Sequence, residues 1–217
     1  MDPDFWHERW QAGQIGFHQD APTPLLLKHW PTLGVSPGAT VFVPLAGKSR
    51  DMAWFAAQGY RVLGVELSQL AVDAFFAEHG LEPEVEASRY GLHHRAAGIE
   101  LIRGDAFALD AALLAGCDAV FDRAALIALP PTLRQRYVQD LHAQLPSGCR
   151  GLLVTVEYPQ ADREGPPFSV EEDEVMALYA PGWQLERLER RRIPPDHEGF
   201  IAGASEVHTA VYALQRR

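Results

Sequence analysis

"VFVPLAGKSRDMAWF", residues 41–55, joins a hydrophobic strand to a helix through a short loop that contains Gly-Lys-Ser. Loops of this kind bind triphosphates or dinucleotides in many α/β enzymes. With Gly47, Lys48 and Ser49 in register, however, the first glycine of a P-loop would be residue 42, which is Phe. The turn also lacks G-x-G-x-x-G, since Gly47 is its single glycine. The loop therefore disfavours both of these phosphate-binding motifs.

Further apolar runs alternate with helical segments along the chain. Segments 49–58, 68–79 and 132–144 carry apolar residues at helical spacing. Strands buried on both faces are predicted at 40–45, 61–67, 99–105, 118–123 and 151–158. This alternation predicts parallel strands with right-handed crossovers, which is a doubly wound α/β sheet.

The C-terminal part departs from this alternation. Two strand-like runs, 182–193 and 205–217, are separated by a loop over 194–204, with no helix between them. Such a pair predicts an antiparallel hairpin added to an otherwise parallel sheet. We therefore expect a single α/β domain over 1–217 with a mostly parallel, seven-stranded sheet.

Composition and charge restrict the partners. The chain has 217 residues, 47% of them hydrophobic, and a formal net charge of −10, which argues against nucleic acid or an anionic membrane as a partner. Cys117 and Cys149 have no metal-ligand spacing, so we expect free thiols, no metal and a reducing cytoplasm. The N-terminal sequence "MDPDFWHERW" lacks the basic and apolar regions of a signal peptide. We expect a monomeric cytoplasmic protein, without a membrane anchor, that acts on small molecules.

Charged residues follow several of the predicted strands. Glu66 ends the second strand, 19 positions after Gly47, where a carboxylate accepts hydrogen bonds from ribose hydroxyls. Asp105 follows the third strand and either bonds an adenine amino group or caps a helical turn. Asp122 and Arg123 follow the fourth strand and either contact a ligand or form a local or helix-capping ion pair at the sheet edge. Because carboxyl ends of parallel strands meet at one sheet edge, an adenosine-bearing ligand is predicted there.

Four blocks resemble a known family. They are "FWHERWQAGQIGFHQ" (5–19), "PLAGKSRDMAWFAAQGYRVLGVELS" (44–68), "FDRAALIALPP" (121–131) and "EGPPFSV" (164–170). In this order they are similar to the bacterial branch of the thiopurine S-methyltransferase family, within the class I S-adenosylmethionine-dependent methyltransferases. The aromatic N-terminal block and the P-L-x-G-K loop are specific to that family. The resemblance implies a Rossmann-like methyltransferase fold.

The resemblance also implies a cofactor, S-adenosyl-L-methionine, with S-adenosyl-L-homocysteine as product. In the family pattern Trp10 closes over the cofactor and Leu45 contacts its methionine end. Glu66 holds the ribose hydroxyls, and Asp105 with Ala106 cradles the adenine. As an exposed carboxylate at a strand end, Glu66 is expected to be removable with little loss of stability.

Arg123 and Phe17 are implied on the acceptor side of the site. Arg123 lies near the methionine part of the cofactor and the acceptor, and Phe17 stacks near the acceptor. No general base is assigned, because a thiol of low pKa is already a thiolate near neutral pH. His18, Asp122 and Tyr158 are conceivable proton acceptors. Residues 1–20 are expected to form a lid.

The acceptor itself stays open among several small molecules. Bacterial members of the family methylate thiopurines and are associated with selenium and tellurium species, so thiol and chalcogen acceptors are both implied. Animal members carry an arginine in the loop before the last strand, whereas residues 194–205 contain none. A nicotinamide-dependent oxidoreductase and a non-catalytic adenosylmethionine-binding regulator are the alternatives. The missing G-x-G-x-x-G and the absence of an appended partner-binding segment weigh against them.

Overall fold

A computed structural model of the chain describes residues 3–16, 18–197 and 199–217. Within them, one nine-stranded sheet runs through the protein in the order β3-β4-β5-β2-β1-β6-β7-β9-β8. The strands are β1 Thr40–Val43, β2 Arg61–Glu66, β3 Glu84–Ser88, β4 Gly91–Ala96, β5 Ile99–Arg103, β6 Ala119–Arg123, β7 Arg150–Glu157, β8 Trp183–Ile193 and β9 Val207–Arg216.

Helices cover both faces of the sheet. They are α1 Pro3–Gln11, α2 Pro24–His29, α3 Arg50–Ala57, α4 Gln69–Glu78, α5 Ala111–Leu114, α6 Pro131–Arg136 and α7 Glu172–Tyr179. Apolar side chains of α2, α3 and α4 pack on one face, and those of α5, α7 and the segment after α6 pack on the other. The doubly wound architecture is confirmed.

The seven strands predicted from sequence form a continuous block within this sheet. β5, β2, β1, β6 and β7 run parallel, with β1 between β2 and β6. β9 pairs antiparallel with both β7 and β8, which confirms the C-terminal hairpin. The carboxyl ends of β1, β2, β5 and β6 therefore lie along one edge of the sheet.

The sheet differs from the prediction by two additional strands, since it has nine strands rather than seven. β3 and β4 form an antiparallel hairpin that extends the β5 edge. Every residue of β3 is exposed, and β4 carries the adjacent His93 and His94, so neither has the apolar run that predicts a buried strand. Polar contacts support the hairpin: Arg95 contacts Glu86 and Glu100, and His93 contacts Glu100.

The helix predicted over 132–144 changes geometry along its length. α6 passes into a π-helical turn over Tyr137–Leu141 and then a 3-10 turn over His142–Gln144. Tyr137 and His142 are completely buried. Local π geometry re-aims side chains within a helix and is frequent next to functional sites.

In the described part of the chain, no helix has both the length and the apolarity to cross a membrane. Cys117 and Cys149 are buried, unpaired thiols, and burial raises the pKa of each to about 12.

Candidate active site

The loop between β1 and α3, residues 44–49, forms the centre of the candidate site. Leu45 has φ 47° and Gly47 has φ 54°, so both adopt the left-handed conformation. For a non-glycine residue such as Leu45 this conformation costs about 1–3 kcal/mol and is frequent at functional sites. The loop ends at Ser49, whose hydroxyl accepts a hydrogen bond from the amide of Asp51 at 3.2 Å and caps α3.

Glu66 links this loop to the end of β2. Its Oε2 accepts a hydrogen bond from the amide of Gly47 at 2.9 Å, and its Oε1 accepts one from the amide of Ser68 at 2.7 Å. Burial raises the pKa of Glu66, and the hydrogen bonds from Ser68 and Gly47 oppose that shift. A carboxylate oxygen accepts more than one hydrogen bond, so both oxygens retain capacity for ribose hydroxyls.

The expectation that Glu66 is exposed is wrong, and the expected small loss of stability on its removal is revised accordingly. Its side chain is only 7% exposed, because the loop after β1 and the turn after β2 close around it. Glu66 therefore serves the local fold as well as any ligand, and its removal leaves two buried amides without an acceptor.

Asp105 and Ala106 follow β5 at the same edge. Asp105 is exposed, and its Oδ1 accepts a hydrogen bond from the amide of Phe107 at 2.9 Å. The prediction that Asp105 caps a helical turn is thus confirmed, because this bond caps the 3-10 turn over Ala106–Ala108. Ala106 is buried directly behind the cap. The second oxygen of the Asp105 carboxylate gives the site an additional acceptor.

Arg123 ends β6, and its guanidinium Nη1 lies 3.8 Å from Oδ2 of Asp51. Burial lowers the pKa of Arg123, and the charge of Asp51 opposes that shift. Ala124, the next residue, has φ 64°. A second non-glycine residue at this edge therefore has the left-handed conformation already seen at Leu45.

The local ion pair considered between Asp122 and Arg123 is wrong. Neighbouring residues of a strand point to opposite faces, and Asp122 points into the core. Its Oδ2 accepts a hydrogen bond from the Tyr137 hydroxyl at 2.8 Å, and its Oδ1 accepts one from the amide of Leu126 at 3.1 Å. His142 lies behind it, and burial lowers the pKa of His142 to about 3.

The three candidate proton acceptors, His18, Asp122 and Tyr158, lie in different surroundings. Asp122 is completely buried, and Tyr158 is 3% exposed with its hydroxyl donating to the carbonyl of Pro167 at 2.5 Å. Burial lowers the pKa of His18, with the charge of Lys48 as the next cause. Lys48 itself forms an ion pair with Glu78.

The buried Asp122 gives a pH-dependent prediction. Burial raises its pKa from 3.8 to about 6, so the folded protein binds this proton more tightly than the unfolded chain. The carboxyl group therefore stabilises the fold at low pH, and this contribution is lost as the pH rises from about 4 to about 6. We expect Asp122→Asn to remove this dependence, so that the variant gains stability relative to wild type as the pH rises from about 4 to about 7. Urea unfolding of both proteins at pH 4 and pH 7 (about the limits of this range) measures the difference in their free energies of unfolding. The same difference at both pH values would contradict the prediction.

Helix α1 lies across the turn that follows β2. A cavity of about 300 Å³ is lined by His7 and Gln11 from α1, by Leu67 and Ser68 from the turn, and by Arg103. The carboxylate of Glu66 also interacts electrostatically with His7. The cavity thus lies next to the predicted ribose carboxylate, with α1 as one wall.

Two aromatic residues, Trp10 and Phe17, are also predicted to belong to the site. Trp10 is half-buried on α1. Phe17 lies outside the described residues. Within the described ranges 3–16, 18–197 and 199–217, His, Cys, Asp and Glu side chains form no group of three that could hold a metal ion.

The loop over 194–205 contains no arginine, but Arg163 from the loop after β7 contacts it. Arg163 donates a hydrogen bond to the carbonyl of Ala202 at 3.1 Å. Asp162 accepts hydrogen bonds from the amide and hydroxyl of Ser205 at 2.8 and 2.7 Å. The loop after β7 therefore fastens the loop between β8 and β9.

Asp51 is the residue that sequence reasoning missed. It is 2% exposed, and it connects Arg123, Ser49 and the amide of Thr23. An acidic residue in the first turn of a helix is usually a solvated partner of the helix dipole, so the sequence contained no signal of its burial.

Comparison with known proteins identifies relatives that match the full length of this chain. Residues 1–217 match the family described as thiopurine S-methyltransferase. The thiopurine S-methyltransferase of Nitrosomonas eutropha is 58% identical over 217 residues, which are 100% of this chain and 99% of that protein. The thiopurine S-methyltransferase of Xanthomonas campestris pv. campestris is 56% identical over 217 residues, covering 100% of both chains.

Solved structures with lower identity share the fold. The 1,6-didemethyltoxoflavin-N1-methyltransferase of Burkholderia thailandensis, with bound S-adenosylhomocysteine, is 20% identical with a TM-score of 0.66, covering 99% of this chain and 86% of its own. A SAM-dependent methyltransferase from Anabaena variabilis is 13% identical with a TM-score of 0.69, covering 99% and 95%.

Proposed function

Because this chain belongs to the thiopurine S-methyltransferase family, we propose that its reaction takes place at the sheet edge formed by Leu45, Glu66, Asp105 and Arg123. The protein is an S-adenosylmethionine-dependent methyltransferase that acts on the sulfur of small thiols such as thiopurines. What we propose is the assignment of its residues to cofactor and acceptor.

The cofactor half of the site is assigned to the ends of β1, β2 and β5. The position of the Glu66 carboxylate is the main support for this assignment. It is buried between Gly47 and Ser68, accepts a hydrogen bond from the amide of each, and retains acceptor capacity for two ribose hydroxyls. The adenine is assigned to Asp105 and Ala106, next to the turn after β2. The methionine end is assigned to Leu45, with Arg123 beside it.

N-terminal residues complete the cofactor half. Trp10 is assigned as the aromatic wall over the cofactor, because aromatic faces attract a sulfonium cation by about 0.5–2 kcal/mol. The carboxylate of the methionine end is favoured near the N-terminus of α3, where backbone amides carry partial positive charge.

The acceptor half of the site is assigned to Arg123 and Phe17. When bound, the cofactor supplies a methyl group on a sulfonium centre whose departure requires no proton. The chain therefore has to orient the acceptor sulfur in line with that methyl group and to exclude water. A thiol of low pKa releases its proton to solvent, so we assign no general base. Arg123 stabilises an anionic acceptor by its charge and hydrogen bonds.

We extend the acceptor class to selenium and tellurium species, because chalcogen nucleophiles attack by the same displacement. The net charge of −10 supports a small-molecule acceptor rather than nucleic acid. Two buried free thiols support a reducing, cytoplasmic environment. We expect a monomer, which light scattering measures.

The assignment is tested by binding and turnover together. Wild type should bind S-adenosylmethionine in preference to NAD in equilibrium titrations. It should then transfer a methyl group to thiopurines and other small thiols, with selenite as a further acceptor in the panel. Binding of NAD without S-adenosylmethionine would instead support an oxidoreductase, and binding without turnover of any acceptor would support a regulator.

A second prediction concerns residues 1–20, which we propose as a lid. α1 forms a wall of the cavity beside Glu66 and, among the described residues, contacts α4. Such a segment should open in the absence of ligand and close over it. We expect amide exchange in α1 to slow at least about fivefold when S-adenosylhomocysteine is added, with core strand β1 unchanged. Equal protection of α1 with and without ligand would indicate a permanent structural helix.

A further inference from the structure

We infer that Asp51 is a positioning residue for methyl transfer, acting by fixing the guanidinium of Arg123. The inference rests on the acceptor role proposed for Arg123 and adds a residue that the family pattern does not assign. It follows from the convergence of three separate parts of the chain on one buried carboxylate.

The geometry shows this convergence directly. Oδ1 of Asp51 accepts a hydrogen bond from the amide of Thr23 at 2.8 Å, in the segment before α2. Oδ2 accepts one from the hydroxyl of Ser49 at 3.0 Å, at the end of the loop that contains Leu45. The same Oδ2 lies 3.8 Å from Nη1 of Arg123. The Asp51 side chain therefore connects the segment before α2, the loop over 44–49 and Arg123.

Burial makes the ion pair more consequential than one at the surface. The side chain of Asp51 is 2% exposed and that of Arg123 is 17% exposed. Burial raises the pKa of Asp51 and lowers that of Arg123, and the charge of each residue opposes the shift of the other. Loss of one partner leaves a poorly solvated charge whose opposing charge at 3.8 Å is gone, so we expect the orientation of the remaining side chain to change.

Asp51 also offsets the charge of Arg123 next to the acceptor position. Its buried carboxylate lies 3.8 Å from the guanidinium, so Arg123 leaves no excess positive charge in a site with little water. Every thiol acceptor reacts as its thiolate, and an acceptor that carries a further negative group is distinguished by the contact of that group with Arg123. Neutralising Asp51 should disturb the direction of the guanidinium, and an acceptor with such a group should be affected most.

A different role would be purely structural, with Asp51 only fastening Thr23 to α3. Asp51→Asn keeps an amide oxygen that can still accept the hydrogen bond from Thr23, so it changes the charge facing Arg123 while leaving that contact available. A purely structural role does not depend on Arg123, so the loss caused by Asp51→Asn would then be the same with and without Arg123.

The decisive experiment is a double-mutant cycle with Asp51→Asn and Arg123→Met. The measured quantity is kcat/KM for 4-mercaptobenzoate and for its neutral isostere 4-mercaptobenzamide, at saturating S-adenosylmethionine. We expect Asp51→Asn to lower kcat/KM for the anionic thiol about tenfold when Arg123 is present and less than about twofold in the Arg123→Met background. The loss for the neutral thiol should be smaller. Equal losses in both backgrounds, or for both thiols, would overturn the inference.

Thermal stability of the same four proteins keeps the test decisive if Asp51→Asn alone does not fold. In Arg123→Met the buried carboxylate has lost the opposing charge of Arg123, so the double variant should melt at or above the temperature of Arg123→Met. A double variant that does not fold would show that Asp51 acts through the fold. Wild-type turnover of the two thiols is the control for the proposed function, and its absence would remove both proposals.

Discussion

Arg123→Ala is expected to lower kcat/KM for an anionic thiol by about 100-fold, because charge-assisted hydrogen bonds contribute about 1.5–3 kcal/mol each. Arg123→Lys should retain part of this activity, since it keeps the charge but loses the planar donor geometry. The loss for a neutral thiol should be smaller. Steady-state kinetics with both acceptors, over a range of pH, measure these differences.

Arg136→Ala is the matched control, since Arg136 is exposed and pairs with Asp140 on the surface. Its kinetics should stay near wild type. The pH–rate profile at limiting acceptor should follow the pKa of each acceptor thiol. A single inflection in the histidine range, identical for both acceptors and abolished by His18→Ala, would show that a protein base is used. Equal losses for anionic and neutral thiols in Arg123→Ala would remove the electrostatic role.

Glu66→Ala is expected to weaken S-adenosylhomocysteine binding by at least about 150-fold, because two charge-assisted hydrogen bonds to the ribose, each worth about 1.5–3 kcal/mol, are lost. The structure adds a second effect, since the amides of Gly47 and Ser68 lose their acceptor as well. We therefore expect a lower melting temperature in the same variant. Isothermal titration and thermal unfolding, performed on the same preparation, separate the two effects.

Glu66→Gln provides a graded comparison, because its amide oxygen can still accept one of the backbone hydrogen bonds. Asp73→Ala is the control for an exposed acid, since Asp73 lies on the surface of α4, where it accepts a hydrogen bond from the side chain of Gln69 at 2.8 Å. Its binding and stability should stay within about 0.5 kcal/mol of wild type. A folded Glu66→Ala variant with unchanged affinity would exclude Glu66 from the ribose site.

The parallel core of the fold could be predicted from sequence because its strands are continuous apolar runs. Val41–Val43 and Val62–Val65 are buried in the structure as that pattern requires. β3 and β4 could not be predicted, because an edge hairpin needs to bury little and its residues are mostly polar. The same limit applies to the π-helical turn after α6, which an ordinary helical period does not distinguish.

The sheet edge of the candidate site could be predicted as well, because parallel strands end on the same side. The particular atoms that meet at this edge could not be predicted. The burial of Glu66 depends on how closely Gly47 and Ser68 approach it, and the pairing of Arg123 with Asp51 joins residues 72 positions apart through tertiary packing. Strand alternation alone would have separated Asp122 from Arg123, since adjacent side chains of β6 point to opposite faces.

The insertion of β9 between β7 and β8 determines when the protein can finish folding during synthesis. β9 is formed by Val207–Arg216, near the end of the chain, yet it pairs along the whole of β7 from Arg150 to Glu157. Until it leaves the ribosome, β7 has an open edge and β8 has no neighbour in the sheet. A nascent chain that is slowed before residue 207 therefore exposes a long apolar strand edge, the kind of surface that chaperones bind and that leads to aggregation.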